Sequence, residues 1–199
     1  MSFTGLMRSV CLSFACLLPT VLCTVARSAP RPLPVVRHLD PARFAGAWYE
    51  IAHLPLWVEL GCKDSVDTYT LAVDDPQRLR AVHTCHRFGF ENRLPTELYP
   101  PDAREPARMV EEVGAAGFSL FFDYDVVALD PFYHWAVVGE PMRQHAWILA
   151  RKASLPSLLL LALAARLDAL GYKHTATRFH CVPQGAAGRD TSCRQAFRR

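Results

Sequence analysis

Short runs of strand-forming residues, separated by turn residues, occupy the chain between Trp48 and Ala150 and constrain its fold most. Eight such runs precede the first helical pattern. Strands at this spacing, with no helices between them, are typical of an antiparallel sandwich or barrel. The predicted strands are Trp48–Ala52, Val66–Val73, Leu79–Cys85, Arg93–Tyr99, Met109–Val113, Phe121–Leu129, Trp135–Val138 and Ala146–Ala150.

A single helix follows the eight strands. Leu158–Leu170 is rich in Leu and Ala, Ser154 or Ser157 can cap its start, and Gly171 suits its end. Thr175–Val182 then indicates a last short strand. This order predicts an all-β fold: an eight-stranded antiparallel up-and-down barrel that forms a calyx, with one C-terminal α-helix packed outside and a short final strand.

The first 28 residues indicate a secretory signal peptide. Arg8 supplies a positive start, and Val10–Val25 is mostly apolar. Small residues before Ser28 and Ala26 allow cleavage after either one. We therefore expect a secreted or periplasmic protein.

Two other interpretations of this segment are weaker. The apolar stretch is shorter than the ~20 residues of a membrane-spanning helix. Neither Cys16 nor Cys23 has the preceding residues of a lipoprotein signal, so a lipid anchor is not expected. The remaining chain is divided into a Pro-rich arm at 29–41, one domain at 42–184 and a tail at 185–199.

Composition and charge exclude several classes of function. Apolar residues make up 51% of the chain, which is typical of a globular protein. Without Arg8 and Arg27, the basic residues (22 less two) nearly balance the 19 acidic ones. A nucleic-acid groove needs a concentrated basic surface, and the only basic cluster lies in the tail, so no nucleic-acid partner is expected. Phosphate-loop, Gly-x-Ser-x-Gly and His-Glu-x-x-His motifs are absent, so no cofactor is expected.

Four cysteines remain once the signal segment is removed. An even number in an exported chain favours two disulfides, which can be connected in three ways. Zinc is the alternative, but no Cys-x-x-Cys or His-x-x-x-His pair accompanies them, so no metal is expected. The four are Cys62, Cys85, Cys181 and Cys193.

Three segments in order resemble the motifs of lipocalins, most closely the branch of bacterial lipocalins and apolipoprotein D. They are Gly46–Ala52, with its Gly-x-Trp-Tyr-Glu pattern, Val126–Asp130 with Tyr133, and Trp147–Arg151. The resemblance covers residues 41–184 and implies a calyx that binds fatty acids, lysophospholipids or similar small hydrophobic ligands for transport, storage or scavenging.

The resemblance also implies structural roles for Gly46, Trp48 and Arg151. The first and last strands of a closed barrel are neighbours. Arg151 is therefore expected to lie across the face of Trp48 and seal the narrow end. An anion-binding role for Arg151 inside the cavity is the alternative.

Alternation along the strands predicts which side chains line the cavity, since every second residue faces inward. The interpretation that these side chains merely fill the barrel remains open. The candidate ligand-binding residues are Trp57, in a loop over the open end, and Tyr69, His83, Tyr124, Val126, Ala128, Trp147 and Leu149.

The turn at 74–77 places Cys62 and Cys85 toward the open rim, where bacterial lipocalins often carry cysteines. We favour the pairs Cys62 with Cys85 and Cys181 with Cys193. The resemblance to apolipoprotein D suggests instead a bond from Cys62 to a C-terminal cysteine.

Two other functions compete with ligand carriage. In a lipid-modifying enzyme on this barrel, Cys85 would be the nucleophile and His83, on the same face, its partner. In an interaction module, Leu158–Leu170 would mediate homodimer or membrane-surface contact. The helix is expected to carry two apolar stripes, one along Leu158 and Leu161 and one along Leu159, Leu163, Leu167 and Leu170, with Leu160 off both. Packing one stripe on the barrel leaves other leucines in water unless the arm or the tail covers them.

Overall fold

The computed structural model of the protein describes residues 32–115, 117–185 and 191–197. The proposed signal segment lies outside the described residues. The strands are β1 (Gly46–His53), β2 (Lys63–Leu71), β3 (Leu79–Arg87), β4 (Phe90–Tyr99), β5 (Arg108–Ala115), β6 (Phe118–Leu129), β7 (Trp135–Gly139), β8 (Ala146–Ala150) and β9 (His180–Cys181). The helices are α1 (Pro41–Phe44), α2 (Ser157–Ala169), α3 (Thr175–Arg178) and α4 (Ser192–Ala196), with a 3-10 turn at Trp57–Glu59.

Strands β1 to β8 form a closed antiparallel barrel. Each strand pairs with the next along the chain, and β1 pairs with both β2 and β8. The short strand β9 pairs with the far end of β1, outside the closed ring. The predicted eight-stranded up-and-down barrel with a helix outside is confirmed.

One prediction about a single element is wrong in part. The first half of the predicted last strand is the helix α3, and the strand itself is limited to β9. The first residue of α3, Thr175, donates from its hydroxyl to the Ala164 carbonyl and from its backbone N–H to Asp168, which ties this segment to α2 instead of the sheet.

The protein has one core inside the barrel and another between the barrel wall and α2. The inner core fills the end where β1 begins, around Phe44, Trp48 and Tyr69. The outer core contains one face of α2 and also Leu33 of the Pro-rich arm, which is fully buried. Side chains therefore fill one end of the barrel, and a ligand-binding cavity can form only at the other end.

The buried face of α2 differs from both predicted stripes. Leu160 is fully buried, and it shares the packed face with Leu163, Ala164 and Leu167. No side chain caps the start of α2, because the Ser157 hydroxyl donates to the Ser192 carbonyl instead.

The C-terminal tail covers part of α2. Cys193 and Phe197 join the outer core, which leaves Leu158, at 83% exposure, and Leu161 as the exposed large apolar residues of α2. The alternative that the tail covers these leucines therefore holds in part, and homodimer or membrane-surface contact through this helix stays a prediction. No helix within the described residues has the length and apolar character needed to cross a membrane.

Candidate ligand-binding site

The closed end of the barrel is organised by Trp48, which is fully buried. Its indole Nε1 donates to the Phe44 carbonyl at 2.7 Å, and the Arg151 guanidinium lies 3.9 Å from the centre of the Trp48 ring. The same guanidinium donates to the backbone carbonyls of Arg43, Phe44, Ala45 and Ala47. With its donors directed at backbone oxygens, Arg151 closes the barrel floor, and nothing in this arrangement favours the alternative role in binding an anionic ligand.

Gly46 permits this closure in two ways. Its backbone has a φ of +99°, which a residue with a side chain rarely adopts. A Cβ atom at this position would also lie 3.1 Å from Nη1 of Arg151. Gly46 of the first motif thus leaves the space that the guanidinium of Arg151, in the third motif, occupies.

A polar layer lies above the packed floor and is centred on His83 of β3. Nδ1 of His83 is 2.8 Å from Oδ1 of Asp67, and Nε2 is 2.6 Å from Oε1 of Glu111. The hydroxyls of Tyr69 and Tyr124 are 2.7 Å apart, and the Tyr69 hydroxyl also donates to Asp67 at 3.4 Å. This network crosses the interior from β2 and β3 to β5 and β6.

The carboxylates keep His83 charged. Burial alone would lower the pKa of His83, but Asp67 and Glu111 more than reverse this effect, so the pKa is raised well above its usual 6.5. Burial opposes ionisation of Glu111 as well, yet its hydrogen bond with His83 leaves its pKa below the usual 4.5. An imidazolium between two carboxylates is the stable state of this layer at neutral pH.

The interior also carries an excess of acidic groups. Glu50 of β1 is 5% exposed, and its pKa is raised well above 4.5 by burial and by the nearby carboxylates of Glu59 and Asp67. Burial similarly raises the pKa of Glu59 to about 7. The polar layer therefore contains more acidic than basic side chains, and this excess disfavours the entry of an anionic group.

Apolar side chains line the barrel between the polar layer and the open rim. Phe122 is paired with Glu111 in the β5–β6 register, so it lies on the inward face of the sheet. Leu94 lies opposite His83 on the same face. Although they point inward, Leu94 is 46% and Phe122 51% exposed, so they border open space. Val113 and Leu120 form a further inward pair of this wall.

The loop after β1 closes against the open end through Glu59. Its Oε1 accepts a hydrogen bond from Nε1 of Trp147 at 2.9 Å, and Trp147 itself packs against the inner core. Trp57, in contrast, is 83% exposed and lines a groove of about 430 Å³ between this loop and β9. Trp147 therefore borders the lumen, whereas Trp57 lies at its outer margin.

Most of the other sequence candidates lie in the interior. Tyr69, Tyr124, Val126 and Leu149 belong to the inner core. Ala128 does not, and its expected inward orientation is corrected: the β6–β7 register shifts between Val126 and Ala128, so Ala128 packs in the outer core. A one-residue bulge reverses the face of every later side chain.

The cysteines form two disulfides, Cys62 with Cys85 and Cys181 with Cys193. A sulfur held in a disulfide is not a thiolate, so Cys85 in this state cannot act as the nucleophile that the enzyme hypothesis requires. His83, its supposed partner, is engaged by Asp67 and Glu111 instead.

Sequence reasoning missed the acidic members of the site. Alternation from Trp48, Tyr69 and Met109 would have placed Glu50, Asp67 and Glu111 on the inner face, since each lies two residues away. Those positions were passed over because an apolar interior was expected. Glu59 carries no such signal, because it lies in a loop.

A barrel of eight up-and-down strands, packed at one end and open at the other, is the lipocalin type of fold. Residues 39–184 match the model of the Lipocalin-like domain family. The chain therefore belongs to the lipocalin family.

Individual relatives agree with this assignment. The chain is 30% identical over 148 residues to the outer membrane lipoprotein Blc of Citrobacter freundii, a match that covers 71% of this chain and 82% of Blc. It is 32% identical over 137 residues to apolipoprotein D of Macaca fascicularis, covering 62% and 67% of the two chains. The structure of insecticyanin from Manduca sexta aligns with a TM-score of 0.64 at 22% identity, over 78% of this chain and 86% of insecticyanin. The predicted resemblance to the branch of bacterial lipocalins and apolipoprotein D is confirmed.

Proposed function

We propose that this lipocalin is an exported carrier that holds one small hydrophobic ligand in the open half of its barrel. The observation that carries the proposal is the inward-facing apolar wall, in which Leu94 and Phe122 remain about half exposed to the lumen. Apolar side chains that border open space gain free energy when an apolar ligand covers them.

The acidic layer below this wall selects the polar end of the ligand. Asp67 and Glu111 already engage the imidazolium of His83, so a ligand carboxylate that reaches this depth meets no free cation among the described residues of the layer and is disfavoured. A hydroxyl or a cationic amine finds acceptors there. Among the expected ligand classes, a zwitterionic lysophospholipid, whose headgroup carries an ammonium group as well as its phosphate, fits this electrostatic environment better than an ionised fatty acid.

Three ligands of equal chain length test both parts of the proposal. Dodecylamine, dodecan-1-ol and dodecanoate are titrated at neutral pH, with tryptophan fluorescence as the signal. We expect the amine and the alcohol to bind more tightly than the carboxylate. Failure of all three to bind would contradict the carrier function, and tightest binding of the carboxylate would contradict the selection by charge.

Trp147→Ala is expected to weaken binding of dodecan-1-ol by about tenfold, because a large apolar wall contact worth ~1.5 kcal/mol is lost. Folding stability should change less than binding, since Trp147 is only partly buried. Trp57→Ala is the control, because its exposed ring lies at the outer margin and should leave binding unchanged. Titration calorimetry and urea unfolding measure the two effects, and wild-type affinity in Trp147→Ala would place the ligand elsewhere.

The location of the carrier also belongs to this proposal. The first 28 residues have the composition of a signal peptide, and the two disulfides suit an oxidising compartment. We propose release of the mature chain into the periplasm or the medium without a lipid anchor. Mass spectrometry of the mature N-terminus, together with lipid retained by the purified protein, tests the cleavage and the cargo.

A further inference from the structure

Three side chains with metal-ligating atoms converge where β1 meets the following loop. Glu50 and His53 come from β1, and Glu59 comes from the 3-10 turn. One carboxylate oxygen of each glutamate and one imidazole nitrogen of His53 all lie within 4.8 Å of one another. The cluster adjoins the His83 network, because Asp67 and His83 act electrostatically on the Glu50 carboxyl group.

Two oxygens of the cluster are buried without a hydrogen-bond partner among the described residues. They are Oε1 of Glu50 and Oε2 of Glu59. Glu50 is 5% exposed, and water is therefore largely excluded from its carboxylate. A buried carboxylate without a partner is costly unless a proton or a cation neutralises it.

His53 makes no hydrogen bond to either of these two oxygens. Its Nδ1 donates to the Leu54 carbonyl at 3.0 Å, and Oε2 of Glu59 lies at the same distance without forming a hydrogen bond to it. A metal-binding histidine commonly donates its other ring N–H to a backbone carbonyl, as His53 does here to Leu54.

We propose that Glu50, His53 and Glu59 form a binding site for a divalent transition-metal ion, with Zn²⁺ as its best match. One imidazole and two carboxylates form a three-residue set of the kind that binds Zn²⁺ and leaves a fourth position for water or a ligand. The donor atoms, now within 4.8 Å of one another, have to approach to the ~3.5 Å mutual spacing of tetrahedral Zn²⁺, so binding requires side-chain rotation.

The groove between the loop and β9 gives the ion a route to this site. Its lining includes His53 and Glu59 together with Trp57 and Leu60, and its volume of about 430 Å³ exceeds that of a hydrated ion. Glu59 also accepts a hydrogen bond from Trp147, so an ion held here would join the loop to β1 beside the lumen. The proposal does not depend on which hydrophobic ligand the barrel carries.

The test uses the mature, fully oxidised protein, freed of metal with a chelator and titrated with Zn²⁺ by calorimetry. We expect about one equivalent to bind per chain and the thermal midpoint to rise with Zn²⁺ concentration. Co²⁺ should give the visible absorption of a protein-bound ion.

Glu50→Gln and Glu59→Gln should each weaken Zn²⁺ binding by about 100-fold or more, because even loss of an outer-shell partner costs about 10- to 100-fold. These substitutions keep the side-chain shape and remove a buried charge, so both proteins should fold. Glu105→Gln and His38→Gln alter exposed residues outside the cluster and serve as matched controls.

Unchanged Zn²⁺ affinity in Glu50→Gln and Glu59→Gln would overturn the proposal, because binding would then come from surface histidines. Failure of Zn²⁺ to bind, or dodecylamine binding that is lost in Glu50→Gln while Zn²⁺ binding is not, would also overturn it. The latter result would assign the cluster to an organic ammonium group. None of these three outcomes would alter the binding of dodecan-1-ol that tests the carrier function.

Discussion

Arg151→Ala is expected to lower the free energy of unfolding by about 3 kcal/mol, through loss of its stacking on Trp48 and of charged hydrogen bonds to backbone carbonyls. The ring contact at 3.9 Å and the four carbonyls it serves lie together at the closed end. Trp48→Ala should cost about 4 kcal/mol, because it leaves a large cavity in the inner core. The double variant should lose clearly less than the two together, since both remove the same contact.

Urea unfolding with both disulfides intact measures this coupling. Arg104→Ala is the control: this arginine is exposed, pairs only with Asp102 among the described residues, and should leave stability almost unchanged. Fully additive losses would show that Arg151 and Trp48 do not stabilise each other. Ligand affinity should change less than stability, because the packed floor lies below the open half of the barrel.

His83→Leu is expected to destabilise the protein by about 3 kcal/mol near pH 6, because Asp67 and Glu111 would lose the cation between them. Removing all three charges, with Asp67→Asn and Glu111→Gln added, should recover much of this loss. The control is His86→Leu on the same strand, where the side chain faces outward and lies 3.9 Å from Glu91 in an exposed pair. A single variant as stable as the control would contradict the assigned role of His83.

The pH dependence of the deficit follows from two pKa shifts. The pKa of His83 is raised in the folded state, so its contribution is complete below 6.5 and is lost as the pH rises through the raised value. The pKa of Glu111 is lowered, so its contribution is complete above 4.5 and is lost as the pH falls through the lowered value. The difference between wild type and His83→Leu should therefore be largest between pH 4.5 and 6.5 and should shrink on both sides.

Local sequence patterns were sufficient for the barrel and its closed end. Alternation identified the strands, and the motifs around Trp48 and Arg151 brought the first and last strands together. These features are predictable because a strand has a strict period of two and because a closed barrel makes its end strands neighbours. The helix α2 was also predicted within one residue at each end, although its buried face was not.

Predictions failed where a local pattern was overruled by a distant contact. The bulge near Val127 turned Ala128 outward, and a similar shift between Glu50 and Ala52 governs where His53 points. Leu160 is buried because the barrel wall and the tail, both far away in sequence, decide which face of α2 is covered. The period of a helix does not specify the direction of its packed face when nearly every residue is apolar.

By itself, the sequence determined the fold class, the family resemblance and the side chains that pack the barrel floor, because these depend on short periodic patterns. Only the tertiary structure decided that the lumen is acidic above that floor and that Glu50, His53 and Glu59 converge. Glu59 reaches the cluster from a loop with no regular period, and bulges change strand faces without a clear local signal. The charge that a ligand or ion meets inside the barrel is therefore a property of long-range register and loop closure.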